Sequence, residues 1–304
     1  MAYANRNTFY FGTQRHMQLI DAPLQGADSS PVGWAENGTL MNGGGYGRHS
    51  FGSHKTYTYE WRSTSAPRVA QILKSYQDGT YGRGLIYFLD PSTYSSNLLP
   101  ARWADPSMAL DYNGIPLIYG ASPEAVDTPS FEVNGYPIRS AMYDVSGTPT
   151  SWTPGYPDSV FIPAPPGYYL FAGAAYTSTG NGGVYATAVT GSDTQVYSTR
   201  LAELSTTDSD VVYNAVALSS NSAGVRIWIG GGTGTVTLSG LTVRAVPSSN
   251  TPLNFRQGPW TGGMGHSGCR FTGAPTWVTN NAVMNGGHIG FAASFTEVGD
   301  WATG

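Results

Sequence analysis

The chain has 304 residues, of which only 11% are charged, with 40 glycines, 20 tyrosines and one cysteine. That length fits one large or two ordinary domains with a self-sufficient core, and a single cysteine excludes both an intramolecular disulfide and a cysteine-rich zinc site. The net charge of −4 argues against general nucleic-acid binding, and no apolar run approaches the roughly 20 residues that span a bilayer.

Few charges with much Gly, Ser, Thr and Tyr point to an all-β protein of many strands and tight turns. The first residues, Met1 to Arg6, show no basic stretch followed by an apolar one, so no signal peptide is expected. Thr8–Phe11 and Met17–Ile20 read as short strands. Gly38, Gly43–Gly45 and Gly47 predict a loop between Asn37 and Phe51.

The best-formed stretch runs from Ser53 to Pro91. From His54 to Trp61 the pattern alternates, with Lys55, Tyr57, Tyr59 and Trp61 on one face. A helix follows, with Ser65 as N-cap and Pro67 in the first turn. Val69, Ile72, Leu73 and Tyr76 make one apolar stripe, and Gly79 is the expected residue just past the helix end. Leu85–Leu89 then has no polar break, which suits a strand covered on both faces. Residues 92–124 are proline-punctuated connectors.

Composition shifts in the middle. Residues 125–247 hold Arg139, Arg200, Arg226 and Arg244, no lysine and eight acids, so the whole net charge lies there. Strands are expected over 168–176, 184–189, 211–218, 225–229, 236–238 and 241–243, at the spacing of a β-sandwich. Gly230–Gly234 superficially resembles a phosphate loop but lacks its Lys-Ser/Thr end, and reads as a hairpin turn. The tail, 248–304, is aromatic and glycine-rich. It closes on an alternating strand in which Phe291, Ala293 and Phe295 share a face. The reading is therefore a domain made of 1–124 and 248–304 with the sandwich, 125–247, inserted.

A search for chemistry finds little. The five histidines show no metal-ligand spacing. Asp208 and Asp210 read as a solvated loop rather than a glycosidase pair. Cys269 lies three residues after His266, but nothing supplies an oxyanion site, and a buried structural cysteine is the favoured reading. One constellation stands out. If Val225, Ile227 and Ile229 enter the sandwich core, Arg226 and Trp228 turn outward. An outward Trp beside an Arg can stack on a sugar ring and donate hydrogen bonds to it. Tyr185 and Trp152, with Tyr169 and Tyr176, would extend that platform. The alternative is that another loop or subunit covers Trp228.

Two sets of residues carry a resemblance. Tyr57–Trp61, the helix and Leu85–Pro91 resemble the N-terminal domain of siphophage distal-tail-type proteins, often labelled minor tail proteins in actinobacteriophages. Gly265–Phe271, Trp277 and Gly290–Gly299 are similar to the way those chains end. The middle segment resembles, more weakly, a jelly roll of the carbohydrate-binding-module type. The resemblance implies a mainly β fold: a ring-forming β-sandwich or barrel domain with one α-helix, discontinuous in sequence, carrying an inserted jelly-roll-like β-sandwich. It implies a virion location at the tail tip and a homo-oligomeric ring, a hexamer. The ring would join the tail tube protein to the tail-tip hub protein and could present a site for a host cell-surface glycan; the alternative is a carbohydrate-binding host-recognition adhesin. The resemblance implies no catalytic residue; with the charge and spacing arguments above, no enzyme, metal, cofactor or nucleic-acid partner is expected.

Overall fold

The computed structural model describes residues 8–24, 28–32, 35–39, 45–49, 54–62, 66–79, 84–90, 97–100, 123–133, 136–144, 146–147, 160–167, 169–178, 183–191, 195–200, 210–230, 233–246, 265–266, 268–279 and 288–298. In chain order the elements are Thr8–Thr13 (β1), His16–Asp21 (β2), Asp28–Val32 (β3), Ala35–Thr39 (β4), Gly45–His49 (β5), His54–Arg62 (β6), the helix Ala66–Gln77 (α1) and Ile86–Leu89 (β7). The middle supplies Pro123–Val133 (β8), Tyr136–Asp144 (β9), Val160–Pro163 (β10), Tyr169–Ser178 (β11), Gly183–Val189 (β12), Gln195–Arg200 (β13), Asp210–Ala217 (β14), Gly224–Gly230 (β15) and Thr235–Val246 (β16). Cys269–Phe271 (β17), Thr276–Thr279 (β18) and His288–Glu297 (β19) close the chain. The protein is mainly β, with antiparallel pairing and one helix among the described residues.

Strands from both ends of the chain form one sheet, ordered β2-β1-β7-β17-β19-β6-β3, with β18 also paired to β19. The alternation read over 54–61 is present: Tyr57, Tyr59 and Trp61 are buried while Thr58 is exposed. Phe291, Ala293 and Phe295 of β19 are buried on the matching face. This sheet curls. Phe9 of β1 and Tyr59 of β6 lie four strands apart along it, about 19 Å if it were flat. Their ring centroids are 4.9 Å apart. Phe9, Phe11, Tyr57, Tyr59, Trp61, Phe88, Phe291 and Phe295 fill the hollow as one aromatic core. The curl is tied where β2 ends: Trp61 Nε1 donates to the Asp21 carbonyl at 2.8 Å and Leu24 N to the Glu60 carbonyl at 2.7 Å.

α1 covers this hollow. Val69, Ala70, Leu73 and Tyr76 join the core, and Ile72 packs at its margin. Tyr76 Oη donates to the His16 carbonyl and accepts from Gln18 Nε2, which holds the helix end against β2. Gly79 stops the helix with φ +79°, a left-handed conformation that costs glycine nothing, and its N–H donates to the Tyr76 carbonyl at 3.2 Å.

Strands β8 to β16 form two sheets, β10-β15-β12-β13 and β14-β11-β16-β9-β8. From β10 onward each strand lies in the sheet opposite its predecessor, except β12 and β13, which are neighbours. The four-stranded sheet has no solvent face where its side chains are described: all of β10 is buried, and so are Tyr185 to Val189 of β12.

Three local expectations change. The glycine-rich stretch after Asn37 is a two-stranded ladder, β4 with β5, in which Asn37 pairs with Gly47 and Thr39 with Gly45; antiparallel backbone bonds form there without side chains to announce them. The strands expected at 236–238 and 241–243 are one strand, β16. Tyr176 pairs with Leu238 and Ala175 with Gly240, so Ser239 is an extra residue in a β-bulge rather than a turn. Gly230–Gly234 is no hairpin turn, because β15 and β16 belong to different sheets. It carries the chain across the sandwich.

Candidate functional site

The sequence-predicted platform lies on the four-stranded sheet. Antiparallel pairing sets Tyr185 opposite Trp228, Thr187 opposite Arg226 and Phe161 opposite Arg226, so all five share one face. Tyr185 and Trp228 stack at 4.3 Å between ring centroids with 13° between planes. Trp228 Nε1 donates to Thr187 Oγ1 at 2.9 Å, and the Arg226 guanidinium stands 5.4 Å from the centre of the Phe161 ring. The pattern thus placed Arg226 and Trp228 correctly on the face away from Val225 and Ile227.

That face is not open to solvent. The back of the curled sheet lies against it. Trp228 and Phe161 have 0% and 1% of their surface exposed, and Tyr185 8%. The reading of Trp228, Arg226 and Tyr185 as an exposed sugar platform is therefore corrected, and the covering layer is the chain's own first sheet. Tyr87 of β7 meets Phe161 edge-on at 4.9 Å. Val189 and Ala223 belong to the same buried cluster, and Met17 and Leu85 pack on it. Arg226 Nη2 donates to Gln14 Oε1 at 2.8 Å, and Tyr10 Oη to the Ala223 carbonyl at 3.2 Å. The β1–β2 turn comes so close to Gly191 that a Cβ there would stand 2.9 Å from the carbonyls of Gln14 and Arg15. Trp152 and the side chains of Tyr169 and Tyr176 lie outside the described residues.

Alternation along β1 and β7 explains the joint. Phe9, Phe11, Ile86 and Phe88 face the aromatic core, so Tyr10 and Tyr87 must face the other way. The unbroken apolar run at Leu85–Leu89 is doubly covered, by the core on one side and by the sandwich on the other. Phe161, Gln14 and Met17 belong to the joint without having stood out in the sequence. A signal was present: Val160–Pro163 and Tyr185–Val189 lack a polar break except Thr187, the same pattern that marked 85–89 as doubly buried.

The His266–Cys269 pair is also close. Cys269 Sγ lies 3.5 Å from His266 Nδ1, and His266 Nε2 lies 2.8 Å from the Phe88 carbonyl. A carbonyl only accepts, so Nε2 carries the proton and Nδ1 faces the thiol. Both side chains are buried, and the imidazole stacks on Phe88 at 3.7 Å. This is a packed core contact. Among the described residues no group of three His, Cys, Asp or Glu side chains could hold a metal ion. None of the described helices is long and apolar enough to cross a membrane.

Buried hydroxyls are the electrostatic signature of this region. Burial pushes the Tyr10, Tyr57 and Tyr59 phenols well above the usual tyrosine range. Glu297 adds to the effect on Tyr57, and Asp90 to that on Tyr59. Glu297 itself accepts from Lys55 N at 2.9 Å and Tyr57 Oη at 3.4 Å. The sign follows from linkage. A phenol whose folded pKa is raised keeps its proton while the unfolded chain loses one, so its contribution is complete below about pH 10 and is lost as pH rises beyond it. Stability should fall above about pH 10 by about 1.4 kcal/mol per pH unit for each tyrosine held protonated. Urea titrations at stepped alkaline pH, with and without Tyr57→Phe, measure it. A slope unaltered by Tyr57→Phe would remove Tyr57 from this account.

Comparison with known proteins gives no family. No family model matches the chain, and no curated protein matches it. Among solved structures, a Clostridium thermocellum endo-1,4-β-D-xylanase, comprising CBM22 and GH10 modules with bound xylohexaose, is similar at 9% identity and a TM-score of 0.26. That similarity covers 40% of this chain and 24% of that one. A tandem of two CBM22 domains from a Paenibacillus barcinonensis xylanase is similar at 9% identity and a TM-score of 0.29, covering 59% of this chain and 54% of that one. A structure of infectious bursal disease virus is similar at 11% identity and a TM-score of 0.25, covering 95% and 71%. The chain thus spans about a quarter to a half of the two carbohydrate-binding structures, and likenesses at these TM-scores assign neither fold nor function.

Proposed function

We propose that this chain is a structural subunit of a phage tail tip. In this reading it assembles into an oligomeric ring between the tail tube and the tip hub, and displays the inserted sandwich as an accessory domain. One observation carries the reading. The stretches that resemble distal-tail-type proteins are separated by more than 170 residues, yet they converge on one core. Tyr57, Tyr59, Trp61, Val69, Leu73, Tyr76, Ile86 and Phe88 pack there with Cys269, Phe291 and Phe295. Together those residues build the curled, helix-capped sheet.

The sheet-switching winding of β9 to β16 would then be a jelly roll. A glycan site on it would use surfaces away from the joint, since Trp228, Arg226 and Tyr185 are engaged there. Six weak copies in a ring would gain avidity where their sites engage together. Native mass spectrometry of the purified chain, with immunogold imaging of the particles that carry it, tests the reading. A closed oligomer and label at the tail tip are expected. A monomer at high concentration together with unlabelled tails would overturn it.

A further inference from the structure

We infer that Asn97 is a positioning residue that sets the angle at which the sandwich is held on the curled sheet. The inference concerns the chain alone and does not depend on the assembly proposed above.

β16 is paired unequally on its two sides. Along one side it is paired with β11 over its whole length, from Ser178–Val236 to Tyr169–Val246. Along the other, β9 accompanies it only from Thr235 to Leu238. Past Leu238 that side needs other partners. Asn97 and Leu98 supply them at Val243. Leu98 N donates to the Val243 carbonyl at 2.7 Å, and Val243 N donates to Asn97 Oδ1 at 3.0 Å. The Asn97 side chain thereby stands in for a backbone carbonyl, and residues 97–98 take up the side of β16 that β9 leaves at Val243.

The same oxygen does a second thing. Asn97 Oδ1 also accepts from Leu99 N at 3.2 Å, so both its lone pairs are used. The Leu99 carbonyl accepts from Gly265 N at 3.1 Å. Gly265 begins the chain's return into the curled sheet: His266 next to it bonds the Phe88 carbonyl, and Cys269 pairs with Ile86 and Glu297. Gly265 is there because the backbones nearly touch. A Cβ would fall 1.7 Å from the Leu98 carbonyl. A continuous run of directional bonds therefore links Val243 in the sandwich, through Asn97 and Leu99, to Gly265 and β7 in the first sheet. Asn97, Leu98, Leu99 and Val243 are all buried, so water does not compete for these bonds.

The division of labour follows. The aromatic joint at Trp228 is mostly apolar, and apolar contact is non-directional. It holds the layers together, and its own directional bonds are two, Arg226 to Gln14 and Tyr10 to the Ala223 carbonyl. The Asn97 bonds, with fixed donors and acceptors and a short reach, add a second directional tie that sets the angle.

The experiment places spin labels on the intact chain at two exposed positions, through Gln71→Cys on α1 and Thr233→Cys at the far end of the sandwich, with the buried Cys269 left unlabelled. With Asn97 present, one narrow distance distribution is expected. Asn97→Ala should broaden or split it, and should speed hydrogen exchange at the Val243 and Leu99 amides roughly tenfold. Asn97→Asp retains an acceptor for both amides and, read at a pH low enough to keep its buried carboxyl neutral, should restore the narrow distribution. Should the alanine variant fail to fold, Asn97→Ser, whose shorter side chain cannot reach both donors, decides beside Asn97→Asp. A narrow distribution in Asn97→Ala or Asn97→Ser, or a broad one in Asn97→Asp, would overturn the assignment.

Discussion

Replacing Trp228 with alanine should cost about 3–5 kcal/mol, the range for truncating a large aromatic in a packed interior. That is a large share of the 5–15 kcal/mol that stabilises an ordinary domain. The substitution removes the ring that stacks on Tyr185 and the indole N–H that donates to Thr187. It leaves a void in the middle layer, between a sheet on each side. The effect should also appear at a distance in sequence. β7 is covered from behind by this cluster through Tyr87, so amides of Ile86–Leu89 should exchange faster in the variant. Trp277, with 40% of its surface exposed, is the control, and Trp277→Ala should stay within about 1 kcal/mol. Urea midpoints with exchange mass spectrometry measure all three. A Trp228→Ala cost below 1 kcal/mol would show that the joint does not carry stability.

Leu73→Ala is expected to cost about 2–5 kcal/mol, and Leu73→Asp, which buries a charge with no counter-ion supplied, to prevent folding of the curled sheet. Leu73 lies at the centre of the stripe and is fully buried, whereas Ile72 is only partly so; Ile72→Ala should be milder. An inserted sandwich that folded by itself would stay folded when this helix is damaged. The joint changes that expectation. Inter-domain interfaces that are large and apolar couple their domains, and this one buries Trp228, Phe161 and Tyr87 together. Calorimetry of the native chain and of Leu73→Ala should show a single transition, shifted down in the variant. Two separated transitions would mean that the joint holds position but does not couple the halves.

The difference between the two expectations shows where the sequence stops being legible. β6, α1, β7 and β19 were readable because large apolar residues recur at the period of each element and turn residues bracket them. β8 and β9 were not: Pro129 and Pro137 interrupt them, and prolines ordinarily argue against strands. β10 is four residues ending at Pro163, too short for a period to register. For Trp228 the pattern gave the correct face and the wrong surroundings. Periodicity is a local property and reports which side chains point together. What lies over them here is Tyr87 and Met17, more than 140 residues earlier in the chain. Only the lack of polar breaks at Val160–Pro163 and Tyr185–Val189 carried information about that partner. The Asn97 junction left no trace at all, since an asparagine before two leucines suits any turn.

The middle sheet has a practical consequence for anyone treating the insert as a removable cassette. A graft usually leaves its host with the skin it had before. Here the host has none on that side: cutting out the sandwich would put Tyr10, Met17, Leu85 and Tyr87 in water as one greasy scar. A trimmed version would have to be repainted at those four positions with hydrophilic side chains before it stayed in solution as single molecules.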